Sequence, residues 1–198
     1  MNRQNINIGS IANDGTGDSI RQGGDKINDN FIELYNAQGW GYYEDDETVT
    51  QSITSTASKL SINGLGSDNN EDYLPGDILG SSSLWDTTND KITPIGLGDG
   101  YNLRIDFAIT TKTGSPNYIE VILDVGGSAT ITNVEVESII SCTATAPFQT
   151  SISFPFFSLA NFNANGGQIF LRTDTGTATL TKRAISIYRQ YKGDPYTP

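Results

Sequence analysis

The sequence predicts a mainly β protein, an antiparallel sandwich or jelly roll preceded by one short helical segment. Three observations carry that expectation. Gly accounts for 21 of 198 residues, Ser, Thr and Asn are abundant, and only 18% of residues are charged. Short strands joined by tight turns suit that mixture, whereas a helical bundle would want more Ala, Glu, Lys and Leu. From residue 99 to 191, apolar and polar residues alternate in short runs spaced by roughly ten residues, each closed by a turn signal. Residues 1–38 hold the one helical pattern, so the crossover helices that a parallel sheet requires are missing.

Taken in order, the first element is a helix. Ile20, Ile27, Phe31 and Leu34 fall at spacings of seven, four and three, which is one helix face, and Gly24 lies on the same stripe. Asp18 precedes the run as a candidate cap. Gly23 and Gly24 each weaken the helix interior by up to about 1 kcal/mol relative to Ala, so a frayed helix beginning near Asp25 is the plainer alternative. A lone helix this short is marginal in water and must pack on something.

Residues 39–98 read as loop-rich, with a strand pair inside Val49–Ile62 broken near Ser55–Ser58. The acidic runs Glu44–Glu47 and Asp68–Asp72 read as solvated turns. The strands that follow are clear. Leu103, Ile105, Phe107 and Ile109 share one face, and Ile119, Val121, Leu123 and Val125 share another. Ile131, Val134 and Val136 follow, then Ile152, Phe154 and Phe156, Ile169 and Leu171, and Ile185 and Ile187. Opposite the core parity stand Tyr118, Ile122, Phe170 and Tyr188, which point to an oligomer interface unless both sheet faces are covered within one chain.

Charge and composition then remove most chemistries. The net charge is −11, from 12 Lys and Arg against 23 Asp and Glu, which disfavours nucleic acid and anionic membrane surfaces as partners. No apolar run approaches the roughly 18 residues of a membrane span. Met1–Gly9 is polar and unlike a signal peptide, so a soluble product of a cytosol is expected. The chain has no His and a single Cys142, which excludes Ser-His-Asp and Cys-His nucleophiles, an internal disulfide and His- or Cys-built metal sites. No cofactor or metal is expected.

The remaining candidates are weak. Gly15-Thr16-Gly17-Asp18 before a helix imitates a phosphate loop, but it lacks the Lys and carries an anion where phosphate would sit. Gly96-Leu97-Gly98-Asp99-Gly100 precedes a strand and reads as a turn. Neither acidic run has calcium-loop spacing. With 23 carboxylates some pair at glycosidase distance is inevitable, and the sequence nominates none. Trp40, Tyr42, Tyr43 and Trp85 suit stacking on sugar rings, with Trp40 and Trp85 the main candidates, or else plug the sandwich structurally.

One stretch is specific. Ile6-Asn7-Ile8-Gly9-Ser10, Asn13-Asp14-Gly15-Thr16-Gly17-Asp18 and Lys26-Ile27-Asn28-Asp29-Asn30-Phe31-Ile32-Glu33-Leu34-Tyr35 resemble the N-terminal segment of tailed-bacteriophage virion proteins of the fibre and baseplate kind. Gly23-Gly24 departs from that pattern, where a small residue and Phe are usual. The rest matches more loosely: Leu84-Trp85-Asp86, Lys91-Ile92, Tyr101–Phe107 and Ile185-Ser186-Ile187-Tyr188-Arg189 look like phage fibre-tip and head-fibre domains, which resemble the trimeric jelly roll of the tumour necrosis factor and complement-head type.

The resemblance implies a non-catalytic virion protein, a homotrimeric fibre, knob or decoration protein. Residues 1–38 would be the docking segment and residues 39–198 the jelly roll. Docking to another virion protein of the capsid, neck or tail would fall to Ile6, Ile8, Asp14, Asp18, Ile27, Phe31, Leu34 and Tyr35. The trimer interface would draw on Ile20, Gly24, Tyr118, Ile122, Phe170 and Tyr188. Contact with a host surface glycan or protein is a further expectation. A carbohydrate-binding adhesin and a small carboxylate-dependent glycan hydrolase are the rival readings.

Overall fold

The computed structural model describes residues 4–11 and 15–193. Asp14 therefore lies outside the described residues. The order of elements is α1 (Ile20–Asn36), β1 (Gly39–Glu44), β2 (Gln51–Thr54), β3 (Ser58–Lys59), β4 (Trp85–Asp86), β5 (Lys91–Ile92), β6 (Gly100–Thr113), β7 (Tyr118–Asp124), β8 (Val134–Ser141), β9 (Phe148–Phe157), α2 (Ala160–Asn165), β10 (Gln168–Thr173) and β11 (Thr177–Tyr191). One sheet runs β1-β11-β6-β9, with β2 beside the first part of β11; the other runs β3-β10-β7-β8, and β4 and β5 form a small hairpin. All pairings are antiparallel, and from β6 to β11 the chain passes from one sheet to the other at every step except β7 to β8, which pair within one sheet. The result is an antiparallel jelly roll behind an N-terminal helix.

The core lies where the alternation put it. Leu103, Ile105 and Ile109 from one sheet, and Ile119, Val121, Leu123, Ile169 and Leu171 from the other, are fully buried. The inward parity along β11 changes midway, from Ala178 and Leu180 to Ile185 and Ile187. A bulge explains the change: between the pairs Thr181↔Ala108 and Ala184↔Asp106 the strand carries one extra residue, with Lys182 at φ 49°. The bulge turns Arg183 inward onto Asp45, and both are buried as an ion pair.

Several expectations need correction. The N-cap of α1 is Ser19, not Asp18: the Ser19 hydroxyl accepts from Gln22 N while the Gln22 side chain accepts from Ser19 N. Gly23 and Gly24 do not delay the helix, which begins at Ile20. A second helix exists. α2 is six residues long and is held by a single buried anchor, Phe162, whose ring lies 5.2 Å from Phe156 and 6.0 Å from Tyr101.

Trp85 offers no sugar-stacking face, because it is 1% exposed and its indole N–H donates to the Ile62 carbonyl at 3.1 Å. Ile122 and Phe170 are direct cross-strand partners on the outer face of their sheet, yet each is only 2% exposed. The register flanks them with the Glu120–Arg172 ion pair, Asp124 opposite Gln168, Glu137 and Lys59. The long stems of these polar neighbours cover the apolar pair. Tyr118 and Tyr188 do remain open, on the outer faces of different sheets.

Candidate docking segment

The polar residues of the N-terminal stretch build a clasp. Asn7 N donates to the Asp18 carboxylate at 2.8 Å and Asp18 N returns a bond to Asn7 O at 2.7 Å. Asn7 Nδ2 reaches Thr16 O at 2.8 Å, closing the turn between them. Gly17 is needed because a Cβ there would stand 3.0 Å from Asn7 O and 3.1 Å from Gly9 N. From the helix side, Lys26 Nζ bonds Asp18 at 2.8 Å and Asn5 O at 3.0 Å. Asn30 holds both backbone groups of Gln4, at 2.8 and 2.9 Å, while Gln4 Nε2 bonds Asp29 at 2.8 Å. The Lys26 ammonium, then the Asn7 amide, hold the Asp18 carboxyl below its ordinary range. Residues 4–8 are thereby laid back along α1 as a hook, with the Ile6 side chain against Gly23.

The apolar residues of the same helix do the opposite: none of them is buried. α1 has no buried residue. Ile20 is 98% exposed and Leu34 64%, and Ile27, Phe31 and Tyr35 are exposed too, as are Ile6 and Ile8 on the hook. Gly24 has no atom of the chain within 4 Å of where a Cβ would be.

What fixes the helix to the body is its C-terminal end. Arg189 of β11, itself 1% exposed, donates from Nε to Ala37 O at 2.7 Å and from Nη2 to Asn36 O at 3.3 Å. These are carbonyls that a helix end leaves without partners, at the negative pole of its dipole. Asp77 and Asp99 pair with the same guanidinium, and Lys192 lies 3.4 Å from both Glu33 and Asp77. Asp99 also accepts from Tyr101 Oη at 3.0 Å and Gly193 N at 2.8 Å. Beside this joint Trp40 stacks on Tyr73 at 5.1 Å and leans on Tyr188 at 6.1 Å.

The structure thus brings Asp18, Ile27, Phe31, Leu34 and Tyr35 onto one hooked helix, and Trp40 next to Tyr188. It separates Tyr118 from Tyr188. Arg189 and Tyr73 were missed by the sequence reading. Arg189 is the last residue of the motif Ile185–Arg189, and a basic residue near the end of an alternating strand was the available signal.

Residues 3–148 match the family described as bacteriophage T4 gp9/10-like protein, N-terminal. The chain belongs to that family. It is a structural protein of the phage virion. Baseplate wedge protein gp10 of Enterobacteria phage T4 is 62% identical over 39 residues, a match covering 20% of this chain and 6% of that protein. The chain therefore spans a small part of that relative's length. Among solved structures, Eiger TNF from S. frugiperda is 12% identical at TM-score 0.46, covering 82% of this chain and 99% of that one. PRD1 vertex protein P5 is 12% identical at TM-score 0.45, covering 77% and 72% respectively.

Proposed function

We propose that the protein is a non-catalytic homotrimeric knob or fibre component. In this reading residues 1–38 dock on another virion protein and the jelly roll of residues 39–198 projects from it. The observation that carries the reading is a helix anchored at both ends whose apolar stripe is left open along its length. An amphipathic helix normally turns such a stripe to a core. The spacing of Ile20, Gly24, Ile27, Phe31 and Leu34 alternates four and three, the pattern of a helix seam. The helix is about 25 Å long at 1.5 Å per residue, enough to divide the work. Ile20 and Gly24 meet their copies about a threefold axis. Ile27, Phe31, Leu34 and Tyr35, with Ile6 and Ile8 of the hook, meet the virion partner. Closed cyclic symmetry keeps the assembly finite.

Deleting residues 1–37 tests this. The truncated chain is expected to stay folded and to be absent from particles that incorporate the full chain. Insoluble truncated protein, or its normal incorporation, would overturn the docking assignment. A solution mass near the 21.4 kDa of one chain at micromolar concentration would overturn the trimer.

A further inference from the structure

A wide polar opening lies away from the N-terminal helix. It is a cleft of about 700 Å³ between the loop of residues 64–71 and the segment 82–93, within the size range of ligand sites. Its floor is structural. Tyr43 Oη donates to Glu71 Oε1 at 2.7 Å and accepts from Leu84 N at 2.9 Å, and Ser83 Oγ joins the same carboxylate oxygen. That network fixes one oxygen of Glu71, and the other has no hydrogen-bond partner among the described residues. Asn70 accepts from Asp72 N through its side-chain oxygen, which leaves its amide hydrogens free. The hydroxyls of Ser82, Thr87 and Thr93 line the cleft and take part in no hydrogen bond among the described residues.

The lining decides the ligand by elimination. No Lys or Arg lines the cleft, and Glu71 and Asp86 do, so phosphates, acidic sugars and nucleic acids meet only repulsion. The lining side chains are mostly amides, hydroxyls and carboxylates, a poor host for a lipid or an apolar peptide, whose binding depends on burying apolar area. No group of three His, Cys, Asp or Glu side chains comes together among the described residues, so a bare cation lacks the oxygen ligands it needs. What does fit is a ligand that offers many hydroxyls, carries no negative charge and can thread an open groove. We infer that this cleft binds a neutral polysaccharide, with Asn70 Nδ2 as donor, the free Glu71 oxygen as acceptor, and the hydroxyls of Ser82, Thr87 and Thr93 serving as both.

The inference is independent of the docking assignment and can be tested apart from it. The full-length protein is applied to an array of purified bacterial O-antigen and capsular polysaccharides, neutral and acidic, and a bound polysaccharide is then titrated in solution. Binding to neutral chains is expected. Each of Thr87→Ala and Thr93→Ala should weaken it about five- to tenfold, the usual effect of losing one hydrogen bond. Thr87→Arg, at an exposed position of the lining, should abolish it by filling the groove. Oligomer mass, melting temperature and incorporation into particles should stay unchanged in all three. Three outcomes overturn the inference: no neutral polysaccharide bound; binding confined to acidic chains; or binding indifferent to these variants but lost in Trp40→Ala, which would place the ligand on the Trp40–Tyr73–Tyr188 rings.

Discussion

At the scale of residues, the N-terminal stretch divides its labour by polarity. Asn7, Asp18, Lys26 and Asn30 spend their hydrogen bonds on the chain itself, while Ile20, Ile27, Phe31 and Leu34 stay exposed. The clasp has a definite pH dependence. The carboxyl of Asp18 titrates lower in the folded chain than in the unfolded one, so its contribution is complete above the ordinary carboxylate range. It is lost as pH falls through the lowered folded value. Protection of the Asn7 amide against exchange should therefore hold through the ordinary carboxylate range and fall away below it, and Asp18→Asn should abolish that dependence. The joint is a second residue-scale case. Arg189→Met strands the buried Asp99 and uncaps Asn36 and Ala37. It is expected to lower the unfolding free energy by about 3 kcal/mol, as removal of one partner of a buried pair does, read from the urea midpoint. The same change should quicken exchange of the last-turn amides of α1. Residue roles of this kind were hardly legible in the sequence. Trp85 and Trp40 look alike there, and only the Ile62 carbonyl and the Tyr73 ring tell them apart.

At the scale of elements, the strands from β6 onward were legible because one face is buried and alternation has to follow the pleat. The exceptions share a cause: a local event that periodicity does not encode. The bulge at Lys182 and Arg183 shifts parity within one strand. α2 is too short to display a period, and Phe162 is its one buried residue. Ile122 and Phe170 have outward parity yet are flanked by polar residues of their own strands and of the neighbouring β3 and β8. The glycine pair in α1 gives a prediction at this scale. A Cβ at Gly23 would meet Ile6 Cγ2 at 3.7 Å, an ordinary contact, and one at Gly24 would meet nothing of its own chain. Both Gly→Ala changes should therefore stabilise the helix by roughly 0.5–1 kcal/mol, seen as slower amide exchange along α1. The two part company on assembly. Under the proposed seam Gly24→Ala weakens trimer association and Gly23→Ala does not; equal behaviour in sedimentation would remove Gly24 from the interface.

At the scale of the whole molecule, the N-terminal helix and the jelly roll are joined by charge more than by apolar packing. α1 buries no side chain in the body, and Arg189, Asp77, Asp99 and Lys192 hold the contact. The likeness to a phage virion family was legible in the sequence, but this joint was not, because Asp77, Asp99 and the Arg189–Lys192 strand end lie far apart in the chain. The overall charge bears on assembly in turn. With −11 on each chain, three copies brought about one axis repel one another, and the proposed seam residues Ile20 and Gly24 carry no charge to offset that. Added salt shortens the Debye length from about 30 Å at 0.01 M to about 8 Å at 0.15 M. It screens the repulsion and leaves apolar burial intact. Trimer association measured by sedimentation equilibrium should therefore strengthen between those two salt concentrations. Weakening over the same range would mean that opposite charges meet across the interface, and the seam would then have to give way to a contact built on the charged surfaces of the jelly roll.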